Sequence, residues 1–354
     1  MVDWLAGKRV RGTSSERTPL GTGVGGTGVG GWVELGRTTL GSAGDTITVS
    51  SLSDKRYYMI LTNILPVTNS VDYKWILNND TGTNYSRRRN LDGGTDGTDV
   101  SQSNVFPLGI GASKPAFGVN YISNLSSKEK LSIEHTVDQQ TAGAATAPRR
   151  GEHVAKWANT SSAINRYDQK NANSGDYDTG SEVVVLGWDP DDTHTNNFWE
   201  ELASVDLSGG AADNLSSGTI TAKKYLWIQY YVQASGSAGA NFQFNNDTGS
   251  NYAHRRQDNG TSDATATSQT DIEMRVSYGD SFGNMFIINN ASNEKLVIAH
   301  EIDNPTAGAA TAPQRTERVA KWTNTSNQIT EIDLNNDGGG DFDTGTIMKV
   351  WGAD

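Results

Sequence analysis

The side chains best suited to chemistry are clustered acids, and the densest cluster lies near residue 337. Asp333-Leu-Asn335-Asn-Asp337-Gly338, followed by Asp341, has the D-x-N-x-D-G opening of a calcium loop with an acid at its ninth position. Oxygens so grouped suit a hard cation, so calcium is a candidate cofactor with Asp333, Asn335, Asp337 and Asp341 as ligands. Thr344 stands where a bidentate Glu would close such a loop, and an Asx-rich turn accounts for the same residues. Asp176/Asp178 and Asp341/Asp343 are acid pairs of the kind that hydrolyse glycosides. Two acids within one Gly-rich turn are nevertheless expected to build the turn. Arg88-Arg89 and Arg255-Arg256 could clamp a carboxylate or phosphate, although neighbouring strand residues point to opposite faces. Surface ion pairing is their expected use. His135 and His300 are equivalent strand residues without a repeated Ser or Asp to complete a triad, and are expected to be packed or at a rim. None of this composes a catalytic constellation, and the reading is non-enzymatic.

Composition narrows the field further. The 354 residues hold 29 Lys+Arg against 41 Asp+Glu, a net charge of −12. That balance argues against direct contact with a nucleic-acid backbone. With no cysteine, disulfides and thiolate chemistry are excluded. No apolar run approaches the ~20 residues of a membrane helix, and no signal-like apolar stretch opens the chain, so membrane insertion is not expected. Gly, Ser, Thr, Asn and Asp carry the polarity, as in a turn-rich β protein. Nine Trp, twelve Tyr and eight Phe can build its core.

A duplication organises everything else. Asn78-Asn-Asp-Thr-Gly-Thr-Asn-Tyr85 returns as Asn245-Asn-Asp-Thr-Gly-Ser-Asn-Tyr252, an offset of 245 − 78 = 167. Thr141-Ala-Gly-Ala-Ala-Thr-Ala-Pro148 returns unchanged as Thr306 to Pro313, an offset of 306 − 141 = 165. Val154-Ala-Lys-Trp157 matches Val319-Ala-Lys-Trp322. A period this long is a whole domain, not a solenoid unit. The chain therefore divides into an N-terminal arm (1–30), a first repeat (31–189), a short polar linker (190–196) and a second repeat (197–354). The arm carries Lys8, Arg9, Arg11 and Arg17 against Asp3 and Glu16, and ends in a glycine-rich run. Trp4 and Leu5 give it an apolar anchor, so Trp4, Leu5, Arg9 and Arg11 are the expected assembly contacts with a neighbouring subunit.

Strands are expected throughout. Lys130–Val137 and Lys295–Ile302 alternate apolar and polar residues with the period of a half-buried strand. Turn signals recur at roughly the 8–12-residue spacing of sandwiches and barrels. The expected fold is all-β: two tandem homologous β-sandwiches, jelly-roll-like, behind an extended arm. The motif residues Asp80, Gly82 and Tyr85, with Asp247, Gly249 and Tyr252, are expected to form a hairpin turn in which Gly supplies a positive φ. Trp157 and Trp322 are expected to be buried in equivalent places.

Asn79-Asp-Thr-Gly-Thr-Asn-Tyr85 and Asn246-Asp-Thr-Gly-Ser-Asn-Tyr252, each after an aromatic strand, resemble a motif of virion proteins of tailed viruses. Lys223-Lys-Tyr-Leu-Trp-Ile228 behind a Gly/Ser/Ala-rich turn is similar to their opening pattern. The resemblance implies a β-sandwich on the outer surface or tail of a virus particle, assembled as a homo-oligomer with other virion proteins, and no catalytic residues. The alternative is a tandem carbohydrate-binding protein, extracellular, with exposed aromatics that stack on sugars. A virion protein that binds a host-surface glycan would combine the two.

Overall fold

The β-branched and aromatic runs do form strands, and the structure, a computed structural model, is built from them alone. It describes residues 31–190, 192, 197–274, 279–304, 306 and 308–354. In the first repeat the chain runs through β1 (Val33–Thr39), β2 (Thr46–Ser50), β3 (Tyr57–Ile64), β4 (Val71–Leu77), β5 (Tyr85–Leu91) and β6 (Gly97–Gln102). It continues with β7 (Val105–Ile110), β8 (Ala116–Ser123), β9 (Lys130–Asp138), β10 (Arg149–Trp157), β11 (Arg166–Lys170) and β12 (Glu182–Trp188). The second repeat opens with β13 (Glu200–Asp206), β14 (Asn214–Ser216), β15 (Tyr225–Val232), β16 (Ala234–Ser235), β17 (Asn241–Phe244), β18 (Tyr252–Asp258) and β19 (Ala264–Gln269). It closes with β20 (Ile272–Glu273), β21 (Asp280–Ile288), β22 (Lys295–Asn304), β23 (Gln314–Trp322), β24 (Ile332–Asn335), β25 (Asp341–Phe342) and β26 (Ile347–Ala353).

Each repeat is a sandwich of an eight-stranded and a four-stranded sheet. The first has the orders β1-β12-β3-β8-β9-β10-β5-β6 and β2-β11-β4-β7. The second has β13-β26-β15-β21-β22-β23-β18-β19 and β14-β24-β17-β20, the same path strand for strand, plus a small β16-β25 ribbon. Pairing is antiparallel and nested: β1 meets β12 and β2 meets β11, as in a jelly-roll-like wrap. The duplication read from the sequence is thus a duplication of topology.

Three apolar clusters follow. One fills each sandwich, around Tyr73, Trp75 and Trp157 in the first and around Phe242, Phe244 and Trp322 in the second. The third lies outside both sandwiches, between the two eight-stranded sheets, and joins Phe117, Val119 and Val137 to Phe286, Leu296, Ile298 and Val319.

This third cluster settles which side of the alternating strands faces inward. In β9 the polar residues Lys130, Ser132, Glu134 and Thr136 are buried, while Leu131 and Ile133 are exposed. The apolar side of the alternation is the outer side of the sheet, because that face serves contact between sandwiches. The polar side is satisfied within the sandwich: Lys130 donates to the Lys128 and Asn159 carbonyls, and Ser132 to Asn120.

Candidate functional site

The repeated turn motif is a lock between sheets and not a hairpin. β4 belongs to the four-stranded sheet and β5 to the eight-stranded one, so the strands it joins do not pair. Asn78 and Asn79 take the left-handed turn, with φ of 52° and 53°. Gly82 does not; it is required because a Cβ there would meet Asn84 Nδ2 at 2.8 Å. The Asp80 carboxylate accepts the Gly82 backbone N–H at 2.8 Å and the Trp157 indole N–H at 2.7 Å. Tyr85 stacks on Trp157, and its hydroxyl accepts the Leu77 N–H at 3.0 Å. Burial raises the Asp80 pKa, but the donors from Trp157, Asn84 and Gly82 outweigh it and hold the carboxyl below its usual range.

The second repeat rebuilds the lock. Asp247 accepts from Gly249 at 2.9 Å and from Trp322 at 2.7 Å, and the Tyr252 hydroxyl accepts the Phe244 N–H. Trp157 and Trp322 are both buried. Two motifs that recur in the sequence 75 to 77 residues apart therefore meet in space.

The calcium-like run does not close into a loop. Asp333 and Asn335 lie in the extended strand β24, and Asn335 is held by amide contacts to Gln243 and Asn214. Among the described residues, no group of three or more His, Cys, Asp or Glu converges as a metal site. Asn336 shapes the bend instead, accepting from the Gly239 and Gly338 N–H groups. Asp337 and Asp341 flank that bend, with Asp341 paired to Ser235 in the ribbon. The acid pairs are turn formers: Asp178 accepts the Thr179 N–H and Asp343 the Thr344 N–H, both at 2.7 Å. The arm residues Trp4, Leu5, Arg9 and Arg11 lie outside the described residues.

The richest assembly of charged and aromatic side chains is the joint between the repeats, which sequence reasoning missed. Arg150 pairs with Asp263 at 2.7 Å, both nearly inaccessible to solvent, and reaches Glu317 at 3.2 Å. Lys321 donates to the carbonyls of Gln139 and Thr141, and Glu294 accepts the Gly143 N–H at 2.5 Å. Arg255 donates to the Pro148 carbonyl, and Ser268 N–H to the Ala144 carbonyl. The unchanged Thr141–Pro148 segment is thus a docking loop in the first repeat. His135 and His300 face one another with ring centroids 4.2 Å apart.

Burial sets the electrostatics of this joint. It holds His135 well below its usual range, helped by His300 and His153, and it lowers His300 as well. Burial also pushes Glu152 up to about 8, reinforced by its contact with Glu317. The same contact, with Arg315 and Arg150 nearby, holds Glu317 below its usual range despite its burial.

Fold and site together define a tandem β-sandwich protein whose most elaborate surface is a sandwich-to-sandwich joint. No protein-family model and no curated protein sequence matches the chain. Among solved structures, domains LG4-5 of the mouse laminin alpha1 chain are similar at 10% identity over 90% of this chain and 89% of that one, with a TM-score of 0.21. Human GIVD cytosolic phospholipase A2 aligns at 9% identity over 76% of this chain and 33% of that one, with a TM-score of 0.13. Neither likeness is close enough to bear on function.

Proposed function

We propose that this chain is a non-enzymatic structural protein of a virus particle, a surface, decoration or tail component that works by associating with copies of itself and with other particle proteins. The observation that carries this reading is the outer face of the eight-stranded sheet. In both repeats it is apolar where a sandwich standing alone would be polar, and in this chain it is a protein-contact face. The polar groups with recognisable chemistry are spent on locks, turns and the joint. The particle assignment rests on the resemblance of the Asp80–Tyr85 and Asp247–Tyr252 motifs to virion proteins. Antibodies to the chain, applied to native particles from its source in the electron microscope, test it. Regular labelling of the particle surface or tail is expected, and unlabelled particles from a source that makes the protein would sink it.

One observation favours the carbohydrate-binding reading. Tyr57 and Trp188 stack at 5.4 Å beside Trp32 and Tyr121, lining an open apolar hollow at the outer face of the first repeat. Glycan-array binding that Trp188→Ala abolishes would support a sugar there, as stacking on aromatic faces requires.

A further inference from the structure

The joint inside the chain leaves a matching joint unused at its two ends. Equivalent residues of the two repeats are buried unequally. Leu296, Ile298 and Val319 are at most 3% exposed, whereas their counterparts Leu131, Ile133 and Val154 are 57%, 54% and 48% exposed. The inequality reverses elsewhere: Phe117 and Val137 are at most 1% exposed, while Phe282 and Ile302 are 48% and 46% exposed. A two-fold contact would bury counterparts alike. This contact is heterologous: one end of the first repeat's sheet face meets the other end of the second's. Such a contact uses one mating surface from each repeat and leaves one free on each.

The free surfaces also carry the polar half of the joint. Arg150–Asp263 has as counterparts Arg315 and Asp96, both exposed. Lys321 and Glu294 pair at 3.6 Å inside the joint; Lys156 and Glu129 make the same pair at 3.1 Å in the open. The loop Thr306–Pro313 repeats the docking loop, with Gly308 at φ 94° where Gly143 has 85°. Ser101 holds φ 53° and Ser268 52°, so the Ser268 N–H that meets the Ala144 carbonyl has Ser101 as its counterpart, as Ala144 has Ala309. The match is incomplete. Arg255 pairs with Asp92 in the joint, but the residue equivalent to Asp92 is Asn259, and Glu182, which pairs with Lys224 at 2.9 Å, is replaced by Ile347, so two ion pairs drop out. Leu61, Val119 and Val184 of the joint correspond to Gln229, Asn284 and Lys349, so the second repeat's free face is more polar than the buried one and the contact between chains is the weaker of the two.

We propose that chains join head to tail, the free face of one chain's second repeat, at Phe282, Ile302 and Arg315, docking on the free face of the next chain's first repeat, at Leu131, Ile133 and Asp96. The occupant of both apolar patches is a second copy of this chain, and the register is that of the internal joint. Repetition gives a ring if the rotation closes and a filament if it does not. This rests on the self-associating part of the proposed function and not on where the protein resides.

The test uses the full chain and two exposed substitutions, Ile133→Arg on one free face and Phe282→Arg on the other, followed by sedimentation velocity and mass photometry. The parent should gain mass with concentration in steps of one chain. Each variant alone should stay monomeric, and an equimolar mixture should stop at a dimer, since only one pair of intact faces remains. In a second arm, Asp96→Arg and Arg315→Asp should each weaken association by about tenfold or more, and the doubly substituted chain should recover it. A parent that stays monomeric throughout, a single-face variant that assembles as well as the parent, a mixture that does not dimerise, or a charge swap without recovery overturns the inference. Assembly without particle labelling defeats only the virion reading; labelled particles built from a chain that does not self-associate defeat only this one.

Discussion

Glu134 offers the sharpest test of how burial governs this fold. Its carboxyl is fully enclosed in the first sandwich and accepts the Trp75 indole N–H at 2.9 Å. Burial pushes it up to about 8, with the Trp75 hydrogen bond pulling the other way. In the unfolded chain it would titrate near 4.5. A raised folded value means its stabilising contribution is complete below about pH 4.5 and is lost as pH rises through about 8. Over the roughly 2.5 units up to pH 7, at about 1.4 kcal/mol each, the loss is about 3 kcal/mol. Glu134→Gln keeps the shape and the acceptor for Trp75 but cannot ionise. It should match the parent at pH 4.5 to within about 1 kcal/mol and exceed it by about 3 kcal/mol at pH 7. Urea unfolding followed by tryptophan fluorescence at several pH values gives the difference between variant and parent, in which other titrating groups cancel. A difference that stays constant from pH 5 to 8 would refute the reasoning. In the second repeat the positions of Glu134 and Trp75 are taken by Ala299 and Phe242, both in the apolar core, and the buried acid is instead Glu301, which accepts the Tyr230 hydroxyl.

Three further outcomes are expected. Trp157→Phe keeps most of the packed ring but removes the donor to Asp80, costing about 1.5–3 kcal/mol by chemical denaturation at pH 7. Because the folded Asp80 value is depressed, that cost should shrink as pH falls below about 4, and a cost unchanged at pH 3 would contradict the lock. Arg150→Ala leaves Asp263 only its longer contact to Arg255, at 3.8 Å, and should weaken the joint by about 3 kcal/mol, seen calorimetrically as two transitions where the parent shows one. Acidification should loosen the joint, because His135 and His300 are held neutral: their contribution is complete above about pH 6.5 and declines below it. Small-angle scattering at pH 7.5 and 5 should show expansion in the parent, and much less after His135→Gln with His300→Gln.

The fold was legible to the extent that local pattern encodes it. The duplication, the all-β class, the sandwich architecture and the burial of Trp157 and Trp322 follow from repeats and alternation. Alternation separates the two faces of a strand but does not say which face lies inward, so it leaves open that Leu131 and Ile133 stand on the outer one. The Asp80–Tyr85 turn was read as a hairpin because its flanking strands are close in sequence, and only the topology reveals that they sit in different sheets. The calcium-like run failed for a related reason: spacing alone cannot tell a wrapped loop from residues strung along an extended strand. The joint was invisible because its partners, Arg150 and Asp263, lie more than a hundred positions apart.

The unequal burial of equivalent residues also sets how concentration acts on the two halves. A contact made inside one chain forms at any concentration, whereas a contact between chains must hold against dilution. Trp199 and Phe286 are buried in the internal joint, whereas their counterparts Trp32 and Tyr121 line the open hollow of the first repeat. Joining the two sandwiches in one chain makes the contact between them an ordinary domain core, formed at any dilution.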